Sequence, residues 1–292
     1  MESGPAINLH YPRVQLFPLH NAVASRDFKE VDRLVLDGYD VNQQHYDRVT
    51  PLHMACLTGD VPITTYLLER GALVNAQSID NSTPLCDAAA GGSVECVKLL
   101  LSRGALVNPP LLLSTPLHEA SLRGHTEVVK CLIQAGAKLD ANDLHYGTPL
   151  HAACSRTTPS LTCIRLLLQS GANPNALKNH KTPLHMVASQ SGSDEATILL
   201  IAYGANVYLR DNQGRSPRDL AGRSSTLQRL LSDHEKDPPL LTQCCRLTIR
   251  SHLGPSRLHT IPHLSAPQIL IGFLHGVDRL LQISRHCIGS ES

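Results

Sequence analysis

Apolar residues recur along the chain in short helical stripes rather than in the strict alternation of a strand. Between Thr115 and Asp140, Leu117 and Ala120 lie three apart and are expected to face inward, as is Leu122. A spacing of three or four puts side chains on one face of a helix. Val128, Val129, Leu132 and Ile133 form a second such stripe, which predicts a second helix. Thr115 is suited to cap the first helix by accepting a backbone N–H bond. Pro116 fits the first helical position, where the N–H it lacks has no intrahelical partner in any case. Gly124 marks the turn between the helices. Gly136 ends the second one, where a left-handed residue is least strained as glycine. Ala137-Lys138-Leu139-Asp140 then leads into an extended hairpin.

This grammar repeats. Pro51, Pro84, Pro116, Pro149 and Pro183 each follow a Thr and precede a Leu, at intervals of 33, 32, 33 and 34 residues. Phe17-Pro18-Leu19-His20 and Ser216-Pro217-Arg218 are weaker copies at either end of the series. Closing glycines fall at Gly38, Gly71, Gly104, Gly136, Gly171 and Gly204, and all but the first precede an Ala. No single unit can bury both apolar faces, so each must stack on the next. A period near 33 carrying T-P-L-H-x-A resembles the ankyrin repeat. The resemblance implies an all-α solenoid of helix-turn-helix units with hairpin loops over residues 17–236, six full units and one partial, behind an N-terminal arm at 1–16.

His20, His53, His118, His151 and His185 recur at the fourth position of the tetrapeptide, where the third full unit has Cys86. That Cys argues against a catalytic role. The imidazoles are expected to bond backbone groups between adjacent repeats, as in ankyrin domains generally. Departures from the pattern are informative. The first unit has Arg26 where the turn glycine belongs. Arg156-Thr157-Thr158-Pro159-Ser160 and Ser191-Gly192-Ser193 lengthen two later turns. Pro109-Pro110-Leu111-Leu112-Leu113 replaces a polar hairpin tip, and reads either as an exposed apolar fingertip or as a segment folded back on its neighbours.

After Asp237-Pro238-Pro239 the period stops. Leu241, Cys245 and Ile249 are spaced by four, one stripe on a short helix. Gly254-Pro255 ends it, Ser256–Ile261 is a short second segment, and Pro267 opens a final apolar helix, Gln268 to Leu274. This three-helix pattern resembles a SOCS box. Leu241, Cys245 and Ile249 match the family's elongin-binding motif residue by residue. Leu264, Ala266 and Pro267 match three positions of its Leu-Pro-aliphatic-Pro cullin-binding motif, with Ser265 in place of the first proline. Ankyrin repeats followed by such a box resemble the ankyrin-repeat and SOCS-box family, with the box at 237–276 and a tail at 277–292.

The resemblance implies a substrate-recognition adaptor of a ubiquitin ligase. The box would dock elongin C, itself associated with elongin B, and recruit cullin-5 with a RING subunit. The ankyrin surface would hold an unknown protein substrate. Candidate contacts are Tyr46 and Arg48 at one hairpin tip, Asp80 and Asn81 at the next, Leu112, then His145 and Tyr146, with Arg123 at a first-helix end. The alternative is an ankyrin scaffold without ligase function, which the departures at Ser265 and Ala266 favour.

Composition narrows the rest. Over 292 residues, 26 Lys and Arg stand against 25 Asp and Glu, a net charge of +1. With no long basic run, no Trp and three Phe, nucleic-acid binding is not expected. No apolar run approaches a membrane span. Nine cysteines, an odd number, and an opening Met1-Glu2-Ser3-Gly4-Pro5 without signal-peptide character lead to an expectation of reduced thiols in the cytosol or nucleus. Cys244, Cys245, His252, His259, His263, His275 and His286 crowd the C-terminal region, but the cysteines are adjacent rather than in C-x-x-C spacing, so neither a metal nor another cofactor is expected. No nucleophile elbow, phosphate loop or paired-carboxylate pattern supports an enzyme.

Overall fold

A computed structural model of the chain describes residues 17–110, 114–156, 159–189, 194–221, 227–229 and 231–232. The N-terminal arm, Leu112, the residues expected to contact elongin and cullin (Leu241, Cys245, Ile249, Leu264, Ala266 and Pro267) and the tail lie outside the described residues. The chain divides into two compact units, Met1–Ala105 and Leu106–Ser292. In the first lie α1 (Pro18–Ala24), α2 (Phe28–Leu36), α3 (Pro51–Thr58), α4 (Val61–Glu69), α5 (Pro84–Gly91) and α6 (Val94–Ser102). The second holds α7 (Pro116–Arg123), α8 (Thr126–Gln134), α9 (Pro149–Cys154), α10 (Leu161–Ser170), α11 (Pro183–Ser189), α12 (Asp194–Ala202) and α13 (Pro217–Leu220). The structure is an ankyrin-repeat fold, and within each unit odd-numbered helices pack on odd-numbered ones and even on even.

The tetrapeptide sets where each first helix begins. At Thr115 the side-chain oxygen accepts from the His118 N–H at 3.3 Å, and the His118 Nδ1 accepts from the Thr115 N–H at 3.3 Å. The same reciprocal pair forms at Thr148 with His151 and at Thr182 with His185. It satisfies two otherwise orphaned donors of the helix end, with His in the role more often filled by Glu or Gln. The second helices start on Asp60, Ser93 and Ser160, which accept from Ile63, Cys96 and Cys163.

Small residues bring the first helices close. Ala55, Ala88 and Ala89 are fully buried beside Leu52 and Leu85. Gly91 is the tightest point, where an added Cβ would come within 2.3 Å of the Leu57 carbonyl oxygen. Two sequence expectations need correction. Leu122 is half-exposed, and Ser121 takes the buried place. At 100° per residue Ser121 stands about 40° from Leu117 around the helix axis, whereas Leu122 is turned about 140° away. Ile133 is likewise half-exposed, so the inward stripe of α8 is Val128, Val129 and Leu132.

An asparagine ladder ties consecutive repeats. Asn42 donates to the Gly71 carbonyl at 3.0 Å and accepts from the Leu73 N–H at 2.8 Å. In the second unit Asn108 does the same with Gly136 and Lys138, and Asn175 with Gly204 and Asn206. Asp140 holds this position between them and accepts from the Asn173 N–H at 3.0 Å; its carboxylate cannot supply the donor half.

Candidate functional site

The histidines behave as structural ties. His53 Nε2 lies 3.2 Å from the Ser82 carbonyl oxygen, His118 Nε2 2.7 Å from that of Gly147, His151 3.1 Å from Lys181 and His185 3.3 Å from Arg215. A carbonyl only accepts, so Nε2 carries the hydrogen and Nδ1 is left to accept at the helix cap. Burial holds all of these imidazoles below their ordinary pKa, which keeps them neutral and in that tautomer. With both nitrogens committed, they are poorly placed to take a ligand.

The hairpin tips, by contrast, present exposed side chains. In the first unit, Tyr46 is 72% exposed and its ring meets those of Phe17 and His45 at 5.4 and 5.0 Å. Arg48 and Asn81 both have left-handed backbones, φ 58°, as the turn before each cap requires. The two tips join where the Ile79 N–H donates to the Asp47 carbonyl at 2.8 Å. Tyr46, Arg48 and Asp80 are exposed, and Asn81 is half-buried.

In the second unit Arg123 is exposed and lies 3.7 Å from Glu119 on its own helix. His145 is exposed and Tyr146 half-buried. Their tip is locked from below by buried Asp143, whose Oδ1 accepts from the backbone N–H of Tyr146 and, at 2.8 Å, of Gly147. The following tip is one residue shorter. Lys178 and Lys181 exchange backbone bonds of 2.8 and 2.9 Å around Asn179 and His180, with φ 48° and 63°. This is a two-residue hairpin whose central pair both need positive φ. His145, Tyr146, Lys178, Asn179, Lys181, Asn212, Gln213 and Arg215 line a cavity of 370 Å³ between successive tips.

The sequence reading missed Ile79 and Leu144, apolar residues 60% and 65% exposed at the tips. The signal was available, since each interrupts a polar run that the helical stripes do not reach. It also missed Lys178 and Lys181, which only the fold sets opposite His145 and Gln213.

Among known proteins, a family model of ankyrin repeats in three copies matches residues 19–110 and 108–178. A second ankyrin-repeat model matches 167–221, and a SOCS box model matches 237–275. Human ankyrin repeat and SOCS box protein 5 is 43% identical over 130 residues, 44% of this chain and 39% of that protein. Human ankyrin repeat and SOCS box protein 9 is 40% identical over 136 residues, 47% of this chain and 45% of that protein. The crystal structure of the human ASB11 ankyrin repeat domain superposes with a TM-score of 0.70 at 38% identity, covering 76% of this chain and 99% of that one. The aligned part spans less than half the length of these curated relatives. With ankyrin models over most of its length and a SOCS box behind them, the chain belongs to the ankyrin-repeat and SOCS-box family.

Proposed function

We propose that the chain is a substrate-recognition adaptor of a cullin–RING ubiquitin ligase. The observation that carries this reading is the SOCS box match at residues 237–275, immediately behind ankyrin repeats. In it, Leu241, Cys245 and Ile249 dock elongin C, with elongin B bound to that partner, and the Leu264, Ala266 and Pro267 segment recruits cullin-5 with its RING subunit. The ankyrin tips hold the client. The chain contributes position rather than bond-making, since bringing two reactants together removes much of the entropic barrier of a bimolecular step. Its site of action is the cytosol or nucleus, in line with the odd number of cysteines.

Leu241 is the anchor, because a Leu seated in a partner's apolar pocket is the type of contact that dominates interface energy. Cys245 is a small apolar neighbour, not a nucleophile. Co-purification tests the assignment. Leu241→Ala with Cys245→Ala is expected to cost about 2–4 kcal/mol and to strip elongin B and C from the chain. Leu264→Ala with Pro267→Ala is expected to weaken cullin recruitment and spare elongin. Undiminished elongin recovery with the first pair refutes the adaptor reading. Loss of both partners with the second pair means that a folding defect was mistaken for a contact. The departures at Ser265 and Ala266 favour a second reading, in which the chain holds elongin but not cullin.

A further inference from the structure

The cavity between the tips of the second unit carries a charge pattern that the fold does not require. Two lysines line it, Lys178 and Lys181, together with Arg215 and no carboxylate. Arg215 is already neutralised, its Nε and Nη2 donating to the Asp211 carboxylate at 3.0 and 2.8 Å. Lys178 is not: its ammonium donates to the backbone carbonyls of Asp143, at 2.8 Å, and Leu144. Among the described residues no carboxylate forms an ion pair with either lysine. Their field reaches inward as well. Burial holds His151 and His185 low, and Lys178 pushes the first further down, Lys181 the second. A cavity of 370 Å³ walled by two cations that no carboxylate among the described residues pairs with is complementary to anionic side chains.

We propose that this cavity binds an acidic segment of the client protein, an extended peptide presenting Asp or Glu side chains to Lys178 and Lys181. The inference rests on the adaptor reading only in naming the peptide's owner a client. Carboxylates fit better than a phosphate. The one guanidinium in the wall is held by Asp211 and so offers no free fork, whereas separate ammonium groups act as point charges that suit single carboxylates. Leu144, exposed and next in the chain to the lining residue His145, offers the peptide an apolar neighbour.

The test is fluorescence anisotropy of the full chain with labelled deca-glutamate at low salt. Saturable binding is expected, with none to deca-glutamine. Lys181→Glu and Gln213→Glu should each weaken it about fivefold or more, Asn212→Lys should strengthen it, and Lys181→Arg should restore it. Lys98→Glu, on the exposed face of α6, should change it by less than about twofold. Gln213 and Asn212 are exposed, so those variants keep the fold even if Lys181→Glu does not, and thermal melts verify this. No saturable binding overturns the proposal. So does an equal loss from Lys98→Glu, or binding of a phosphoserine peptide without binding of deca-glutamate. Elongin recovery reports separately on the adaptor role: deca-glutamate binding without elongin leaves this site standing alone, and the reverse removes only the site.

Discussion

The first repeat and the repeat that begins at Thr115 run the same helix start with different parts. In the later one, Thr115 and His118 cap the helix reciprocally while the other ring nitrogen of His118 reaches Gly147. In the first, Phe17 stands where Thr belongs. His20 still spans to the next repeat, its Nε2 3.0 Å from the Val49 carbonyl oxygen, but its Nδ1 has no hydrogen-bond partner among the described residues. The Phe17 ring packs instead on His20 and His45, at 5.4 and 4.6 Å. Thr83 and Cys86 keep the cap with a different fourth residue. Thr83 still accepts from the Cys86 N–H at 3.4 Å, with a thiol where the imidazole stands elsewhere. The tetrapeptide is therefore two separable devices, a helix cap and an inter-repeat tie.

The largest effect is expected at His118. Changing it to Ala removes the tie and leaves the Thr115 N–H unsatisfied in a buried site, while the Gly147 carbonyl keeps only its 2.8 Å bond from the Asp143 N–H, a loss of about 2–3 kcal/mol by urea unfolding. His20→Ala removes the tie and the Phe17 ring contact but no cap bond, and should cost about 1–1.5 kcal/mol. Equal losses at the two sites would break the comparison.

Acid sharpens it next. Burial holds both His20 and His118 below the ordinary imidazole value, so the native state binds fewer protons than the unfolded chain. Stability is then complete above pH of about 6.5 and falls as pH drops below it, until the native rings protonate. Urea midpoints at pH 7.5 and 5.5 should differ. His118→Gln should lower the midpoint at pH 7.5 yet narrow the difference; an unchanged difference would mean that other groups carry it.

Thr115→Ala should cost about 1 kcal/mol, the usual value of a lost N-cap. Phe17→Thr should be smallest, within about 0.5 kcal/mol of wild type, because the new cap offsets the lost ring contacts. A gain well above that would show that the aromatic cluster contributes little.

Much of the fold was legible because the Thr, Pro and Leu of the tetrapeptide act locally, as cap, first-turn proline and core residue, and the His, whose tie reaches the next repeat, recurs with them. What escaped depends on helical phase or on contacts between repeats. Leu122 was expected inside because it is apolar, but helical phase gives that place to Ser121. The shortened hairpin at Asn179 and His180 hides in a repeat whose overall length is close to the period, since the extra residues near Pro159 offset it. The Asn42, Asn108 and Asn175 ladder is invisible until the Gly carbonyls of the next repeat are set beside it. At the candidate surface, Tyr46 and His145 stood out as tip residues, whereas the cation-lined cavity joins loops more than 60 residues apart, from His145 to Gln213. For the SOCS box, the spacing of Leu241, Cys245 and Ile249 is readable in the sequence alone, and those residues lie outside the described ones.

The central claim is that one chain joins a client-holding repeat stack to a ligase-docking segment. Its most direct test is the mass, by light scattering during size exclusion, of the chain co-expressed with elongin B and C. The account predicts a stable ternary species for wild type, and for Leu241→Ala with Cys245→Ala a lone chain whose helical content and melting are unchanged. A wild-type chain that elutes alone, or a doubly substituted chain that stays in the ternary species, would contradict it.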